Sequence, residues 1–216
     1  RYVLFGSDAT NLAAHDTNAA TDLFVRDRLK KVTRRVSVGK SGRQGDGAAG
    51  GYPSPSAISP DGRFVVFDSA ATNLVDHDTN SQSDVFLRDR VKRTTRLVSR
   101  DSAGHRGNAG SANPSMTSDA RLIVFGSLAT NLVGGDSNAT ADVFVRNRIT
   151  GKTSRLSLSS GEVEANSGSS YPTISAAGRY VAFDSGASNL VAGDSNGNED
   201  LFVRDRLLGT TDRVTV

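Results

Sequence analysis

One feature constrains this chain more than any other: a 38-residue block that recurs four times without an internal gap. The blocks span residues 1–38, 63–100, 121–158 and 179–216, with starts 62, 58 and 58 residues apart. Their most recognisable words are Asp22-Leu23-Phe24-Val25-Arg26-Asp27-Arg28, Asp84-Val85-Phe86-Leu87-Arg88-Asp89-Arg90, Asp142-Val143-Phe144-Val145-Arg146-Asn147-Arg148 and Asp200-Leu201-Phe202-Val203-Arg204-Asp205-Arg206. Self-similarity at a fixed period of this length indicates stacked structural units, each burying its apolar face on its neighbours.

The grammar inside each unit is that of β-strands. Each block opens with a short apolar run (Tyr2 to Phe5, Phe64 to Phe67, Leu122 to Phe125, Tyr180 to Phe183). Runs of this length, rich in aromatic and β-branched residues, suit strands buried on both faces. A polar loop of about sixteen residues follows, then the Asp-x-Phe-x-Arg-Asp-Arg strand, then an alternating strand (33–38, 95–100, 153–158, 211–216) that reads as half exposed. The connectors supply one more strand in three places: Tyr52 to Ser59, Asn113 to Thr117 and Tyr171 to Ser175. A tight turn, clearest as Pro60-Asp61-Gly62-Arg63, leads from it into the next apolar run, because Asp-Gly favours hairpin turns with positive φ. No segment reads as a helix.

Four short antiparallel strands per unit predict an all-β fold, a β-propeller of four four-stranded blades in one region spanning 1–216. We label the strands a to d from connector to block end. The chain begins at Arg1, inside the a–b turn, so the first blade is expected to lack its innermost strand. That expectation makes the propeller part of a larger or assembled one, with the exposed edge an association hazard.

Ser59-Pro60-Asp61-Gly62-Arg63-Phe64-Val65-Val66-Phe67 followed by Asp84-Val85-Phe86-Leu87-Arg88-Asp89 resembles the WD-repeat-like blades of TolB-type β-propellers. The resemblance covers nearly the whole chain and departs from the TolB pattern in its long b–c loop. It implies a fold shared by periplasmic accessory proteins, peptidase gatekeepers and cell-surface proteins. It therefore implies an extracytoplasmic setting (periplasmic, secreted or cell surface) and a partner that is another protein or a second copy, met through a blade edge or the loop face.

Composition narrows the chemistry. Cysteine is absent, which removes thiol catalysis and thiolate metal sites. No apolar run approaches the ~18 residues of a membrane helix. The net charge is +3, but the arginines sit beside carboxylates in Arg-Asp-Arg triplets, which argues for ion pairs rather than nucleic-acid binding. The lack of tryptophan disfavours a repeat lectin. No hydrolytic triad can be assembled from the motifs present. The string Gly45 to Gly50 has dinucleotide-fingerprint spacing but no following helix. The reading is a non-catalytic binding or assembly module, with the propeller portion of a larger, peptidase-like hydrolase as its rival.

The most specific polar pattern is Asp-[Thr/Ser]-Asn-x-x-x-Asp in each b–c loop: Asp16, Asn18 and Asp22; Asp78, Asn80 and Asp84; Asp136, Asn138 and Asp142; Asp194, Asn196 and Asp200. Oxygen ligands at alternate positions of a turning loop suit Ca²⁺. The same pattern suits Asx-turns closed on the loop's own amides. Gly197, Asn198 and Glu199 make the Asp194 copy the best calcium candidate. Asn11, Asn73, Asn131 and Asn189 read as loop-ordering residues. Strand alternation puts the b–c loops and the d–a connectors on one face, where long polar loops concentrate function.

Overall fold

The computed structural model describes residues 1–50 and 56–215. Fifteen strands form four antiparallel sheets with meander order. The first sheet has β1 (Tyr2–Ser7), β2 (Asp22–Asp27) and β3 (Val32–Arg35). The second has β4 (Ala57–Ile58), β5 (Phe64–Ser69), β6 (Asp84–Asp89) and β7 (Thr94–Leu97). The third has β8 (Ser111–Met116), β9 (Leu122–Ser127), β10 (Asp142–Asn147) and β11 (Thr153–Arg155). The fourth has β12 (Ser169–Ile174), β13 (Tyr180–Ser185), β14 (Asp200–Asp205) and β15 (Thr210–Arg213). These are propeller blades, and the first holds only strands b, c and d, as the repeat predicts.

Register within each blade is set by one aromatic pair. Phe5 faces Phe24, Phe67 faces Phe86, Phe125 faces Phe144 and Phe183 faces Phe202 across strands b and c. Their ring centroids lie 5.7–6.0 Å apart, within the favourable range for aromatic pairs. A slip of one residue would turn these rings to the other face of the sheet.

Between blades, apolar side chains interdigitate in three successive cores. Leu23, Val25 and Val36 of the first blade pack on Val65, Phe67, Ala71, Leu74 and Phe86 of the second. Phe64, Val66, Val85, Leu87 and Val98 repeat the contact onto Ile123, Phe125, Ala129, Leu132 and Phe144. Leu122, Val124, Val143, Val145 and Leu156 repeat it onto Val181, Phe183, Ala187, Leu190 and Phe202. Strands b and c of the second and third blades are consequently buried on both faces, whereas β1 is not.

Polar groups lock the same joints. The first arginine of each triplet lies between blades: Arg88 donates to the carbonyls of Val38 and Gly39, Arg146 to those of Arg100 and Asp101, and Arg204 to those of Leu158 and Ser159. The last arginine reaches the a–b turn, where Arg90, Arg148 and Arg206 donate to the carbonyls of Gly62, Ala120 and Gly178. The central acid of the triplet pairs with the arginine that opens its block, Asp27 with Arg1, Asp89 with Arg63 and Asp205 with Arg179, at 2.7–2.8 Å. It also closes the c–d turn. Asp27 accepts the amides of Leu29 and Lys30, Asp89 those of Val91 and Lys92, and Asp205 those of Leu207 and Leu208. Asn147 accepts the amides of Ile149 and Thr150 in the same way. An amide oxygen thus replaces a carboxylate there without loss of the turn.

Some boundaries depart from the sequence reading. Strands β8 and β12 start two residues earlier than expected and carry a register shift. Asn113 and Tyr171 take positive φ of 56° and 50° there, so a bulge reorients the chain just before Pro114 and Pro172. Strand d ends early, after Arg35, Leu97, Arg155 and Arg213. One 3-10 turn forms at Lys40–Gly42, where no helix was expected. Half of the expected Tyr52 to Ser59 strand lies outside the described residues, and in its remainder Ala57 and Ile58 pair with β5. No helix among the described residues is long and apolar enough to cross a membrane.

Candidate functional site on the loop face

The b–c loops and d–a connectors do share a face, and each loop Asp pair meets there with groups from strand d or the connector. The second Asp opens strand c and is buried in every blade. Its Oδ1 accepts a hydroxyl from just beyond strand d: Ser37 to Asp22 at 2.6 Å, Ser99 to Asp84 at 2.6 Å, Ser157 to Asp142 at 2.5 Å and Thr215 to Asp200 at 2.5 Å. Its Oδ2 faces the first Asp, and a guanidinium bridges the two carboxylates. A buried pair of like charges demands such a counter-charge.

The bridging arginine comes from two different places. Arg35 reaches Asp16 at 2.9 Å and Asp22 at 3.0 Å. Arg155 reaches Asp136 at 3.4 Å and Asp142 at 3.3 Å. Arg213 reaches Asp194 at 3.0 Å and Asp200 at 3.3 Å. All three are one column of the repeat, on strand d. The second blade has Leu97 in that column. Its bridge is Arg106 from the connector, 3.0 Å from Asp78 and also bonded to Asp84. The connector column holds Gln44, Arg106 and Glu164 in the first three blades. Gln44 donates to Asp16 and Asp22 at 2.9 and 2.8 Å. Two sequence columns thus exchange one positive charge.

The asparagines perform the Asx-turn role. Asn18, Asn80, Asn138 and Asn196 accept the amide two residues ahead at 2.9–3.1 Å. Asn18, Asn80 and Asn138 also donate to the connector carbonyls of Gly45, Gly107 and Ala165. Asn73, Asn131 and Asn189 tie their loops to the connector of the preceding blade through the carbonyls of Gln44, Arg106 and Glu164 and the amides of Asp46, Asn108 and Asn166. His15, His77, Gly135 and Gly193 share one loop position, and all have φ between 59° and 76°. A left-handed turn, rather than imidazole chemistry, accounts for that column.

The third blade is electrostatically different. Glu164 adds a third carboxylate, and oxygens of Asp136, Asp142 and Glu164 lie within 4.8 Å of one another, a grouping that could hold a metal ion. One guanidinium serves all three, with Arg155 contacting Glu164 as well. Burial pushes the Asp142 carboxyl up to about 6 and raises that of Asp136 above its ordinary range. Burial also acts to raise Glu164, but the Ser137 hydroxyl and amide, with Arg155, hold it below its ordinary value. In the fourth blade Asp200 is held low, chiefly by the Thr215 hydroxyl. Reading single residues missed Arg35, Arg106, Arg155, Arg213, Gln44 and Glu164; aligning the two columns across blades would have found them.

No family model matches the chain, and no curated protein matches it. Solved structures do. TolB from Acinetobacter baumannii superimposes with a TM-score of 0.55 at 16% identity, over 94% of this chain and 39% of that one. A putative TolB from Agrobacterium tumefaciens gives 0.59 at 13% identity, over 98% and 60%. An oligogalacturonate lyase in complex with manganese gives 0.57 at 13%, over 100% and 49%. Prolyl endopeptidases are also similar, with a TM-score of 0.54 at 12% identity over 26% of their length. The chain therefore spans less than two thirds of each of these proteins, and at such identities the likeness is one of fold. The fold of this chain is that of TolB-type β-propellers.

Proposed function

We propose that the chain is a non-catalytic propeller module, 1–216 in one region, that acts by binding or assembly in an extracytoplasmic setting. The observation that carries this reading is the fourfold clamp of Asp, Asp, Arg and hydroxyl. Every blade ties its loop-face Asp pair to strand d or to the connector through an arginine, which fixes the loops in place to present a surface. The rival reading, a propeller portion of a larger hydrolase, draws support from the similarity to prolyl endopeptidases. The 216-residue chain is treated with a fluorophosphonate probe for activated serines, and with oligogalacturonate plus manganese. The proposal expects no covalent labelling and no unsaturated product. Labelling or turnover abolished by a point substitution in this chain would overturn it.

Calcium is the second reading, and it narrows to the third blade. Loop composition favours the Asp194 copy, yet the fourth-blade pair carries its own arginine, and among the described residues no third acid joins it. In the third blade three carboxylates share one guanidinium, a surplus of negative charge that a proton or a divalent cation neutralises. Asp136, Asp142 and Glu164 would supply hard oxygen ligands.

A further inference from the structure

Each joint between blades buries one guanidinium, and the joints differ in whether a carboxylate meets it. Arg88, Arg146 and Arg204 occupy one column and are 4–6% exposed. In each, Nη1 makes three hydrogen bonds, to a threonine of its own strand d and to two carbonyls of the preceding blade. Nη2 behaves differently. Between the third and fourth blades, Nη2 of Arg204 bonds the carboxylate of Glu162 in the connector. Nη2 of Arg88 and of Arg146 has no partner among the described residues.

One connector position accounts for the difference. Glu162 aligns with Gly42 and Gly104. All three donate their amide to the carbonyl three residues back and take positive φ, at 61°, 79° and 98°. The backbone is the same, and only the third joint carries a side chain there. A Cβ on Gly42 would meet nothing within 4 Å. The first joint thus holds a buried cation without the counter-charge that the third supplies, which is costly. Burial pulls the Arg88 guanidinium below its ordinary value.

The first joint is also the most cationic. Arg34, Arg88, Arg90 and Arg93 line one groove that no acidic or aromatic side chain lines. Arg34 and Arg93 are exposed and have no partner among the described residues. Their columns hold Ser154 and Gly209 at the third joint. The four arginines and Gly42 belong to the two blades that meet here, so the site is complete within the chain.

We propose that this groove binds an acidic segment of a partner protein, one glutamate of which takes on Arg88 the place that Glu162 takes on Arg204. The third joint shows a peptide glutamate meeting this geometry, and guanidinium–carboxylate pairs are strong and directional. The lack of aromatic rings in the groove disfavours stacked nucleobases. The proposal rests on the reading of the chain as a binding module and gives that module's partner a chemistry.

Fluorescence anisotropy of a labelled hexaglutamate peptide, titrated with the 216-residue chain at low ionic strength to limit screening, tests this. Gly42→Glu copies the third joint into the first and fills the site from within. Gly42→Ala puts a Cβ on the same positive-φ backbone without reaching Arg88. The wild type and Gly42→Ala are expected to bind saturably, and Gly42→Glu to bind about tenfold or more weakly, the worth of one charge-assisted hydrogen bond. Gly134→Glu adds the same charge in a third-blade loop, where a Cβ meets nothing within 4 Å, and should bind like the wild type. If circular dichroism shows a Gly42 variant unfolded, Arg93→Ser at an exposed position replaces it and should weaken binding severalfold. Absence of saturable binding by the wild type would overturn the proposal. So would equal losses in Gly42→Glu and either Gly42→Ala or Gly134→Glu, or an oligogalacturonate of equal charge that binds the site more tightly than the peptide. None of these outcomes bears on the absence of catalysis, which the labelling assay addresses separately.

Discussion

At the scale of single residues, the loop-face acids fall into two electrostatic classes. In the first, second and fourth blades two carboxylates share one guanidinium. In the third, Asp136, Asp142 and Glu164 share Arg155. If the surplus charge of the third blade is met by calcium at neutral pH, then removing calcium with EDTA should lower the melting temperature. A cation bound only to the native state, at about ten times its dissociation constant, raises a domain of this size by about 3–6 °C. Asp142→Asn keeps the acceptor for Ser157 and removes one ligand charge, so it should abolish the response. Asp200→Asn should leave it intact. Identical melting of the wild type in EDTA and in millimolar calcium would remove the metal from the account. The acids and asparagines were legible from the sequence because they recur in fixed columns. The guanidinium was not, because it arrives from strand d in three blades and from the connector in one, and a reading by single columns sees only an inconsistent Arg35, Leu97, Arg155 and Arg213.

At the scale of elements, that exchange makes a strong claim: the loop requires the charge and is indifferent to which strand or connector supplies it. Arg106→Gln leaves Asp78 and Asp84 buried without a counter-charge, which should destabilise the chain by about 3–5 kcal/mol. Adding Leu97→Arg recreates the Arg35 and Gln44 combination of the first blade and should restore most of the loss. Urea denaturation of the two single variants and the double variant gives the coupling directly. If the double variant is as unstable as Arg106→Gln alone, the two columns do not exchange charge. The strands themselves were nearly all readable, since b and c carry uninterrupted apolar and Asp-x-Phe patterns. Strand a was misplaced by two residues because Asn113 and Tyr171 adopt positive φ, a backbone choice that no periodicity announces. Strand d was overextended because Val36, Val98 and Leu156 alternate like strand residues while their amides bond strand c beyond the end of the ladder.

At the scale of the whole molecule, four units repeat one joint three times, and stability should follow that count. The middle blades are covered on both sides and the outer blades on one. In a repeat architecture, protection grows with the number of covered interfaces. Hydrogen exchange read by mass spectrometry, at a concentration where the chain is monomeric, tests this arrangement most directly. Four protected patches are expected, at strands b and c of each blade, separated by faster connectors. The slowest amides should lie in β5, β6, β9 and β10, with β13 and β14 faster and the edge strand β1 fastest of the b strands. Uniform protection across the four blades, or slowest exchange in β1, would contradict it.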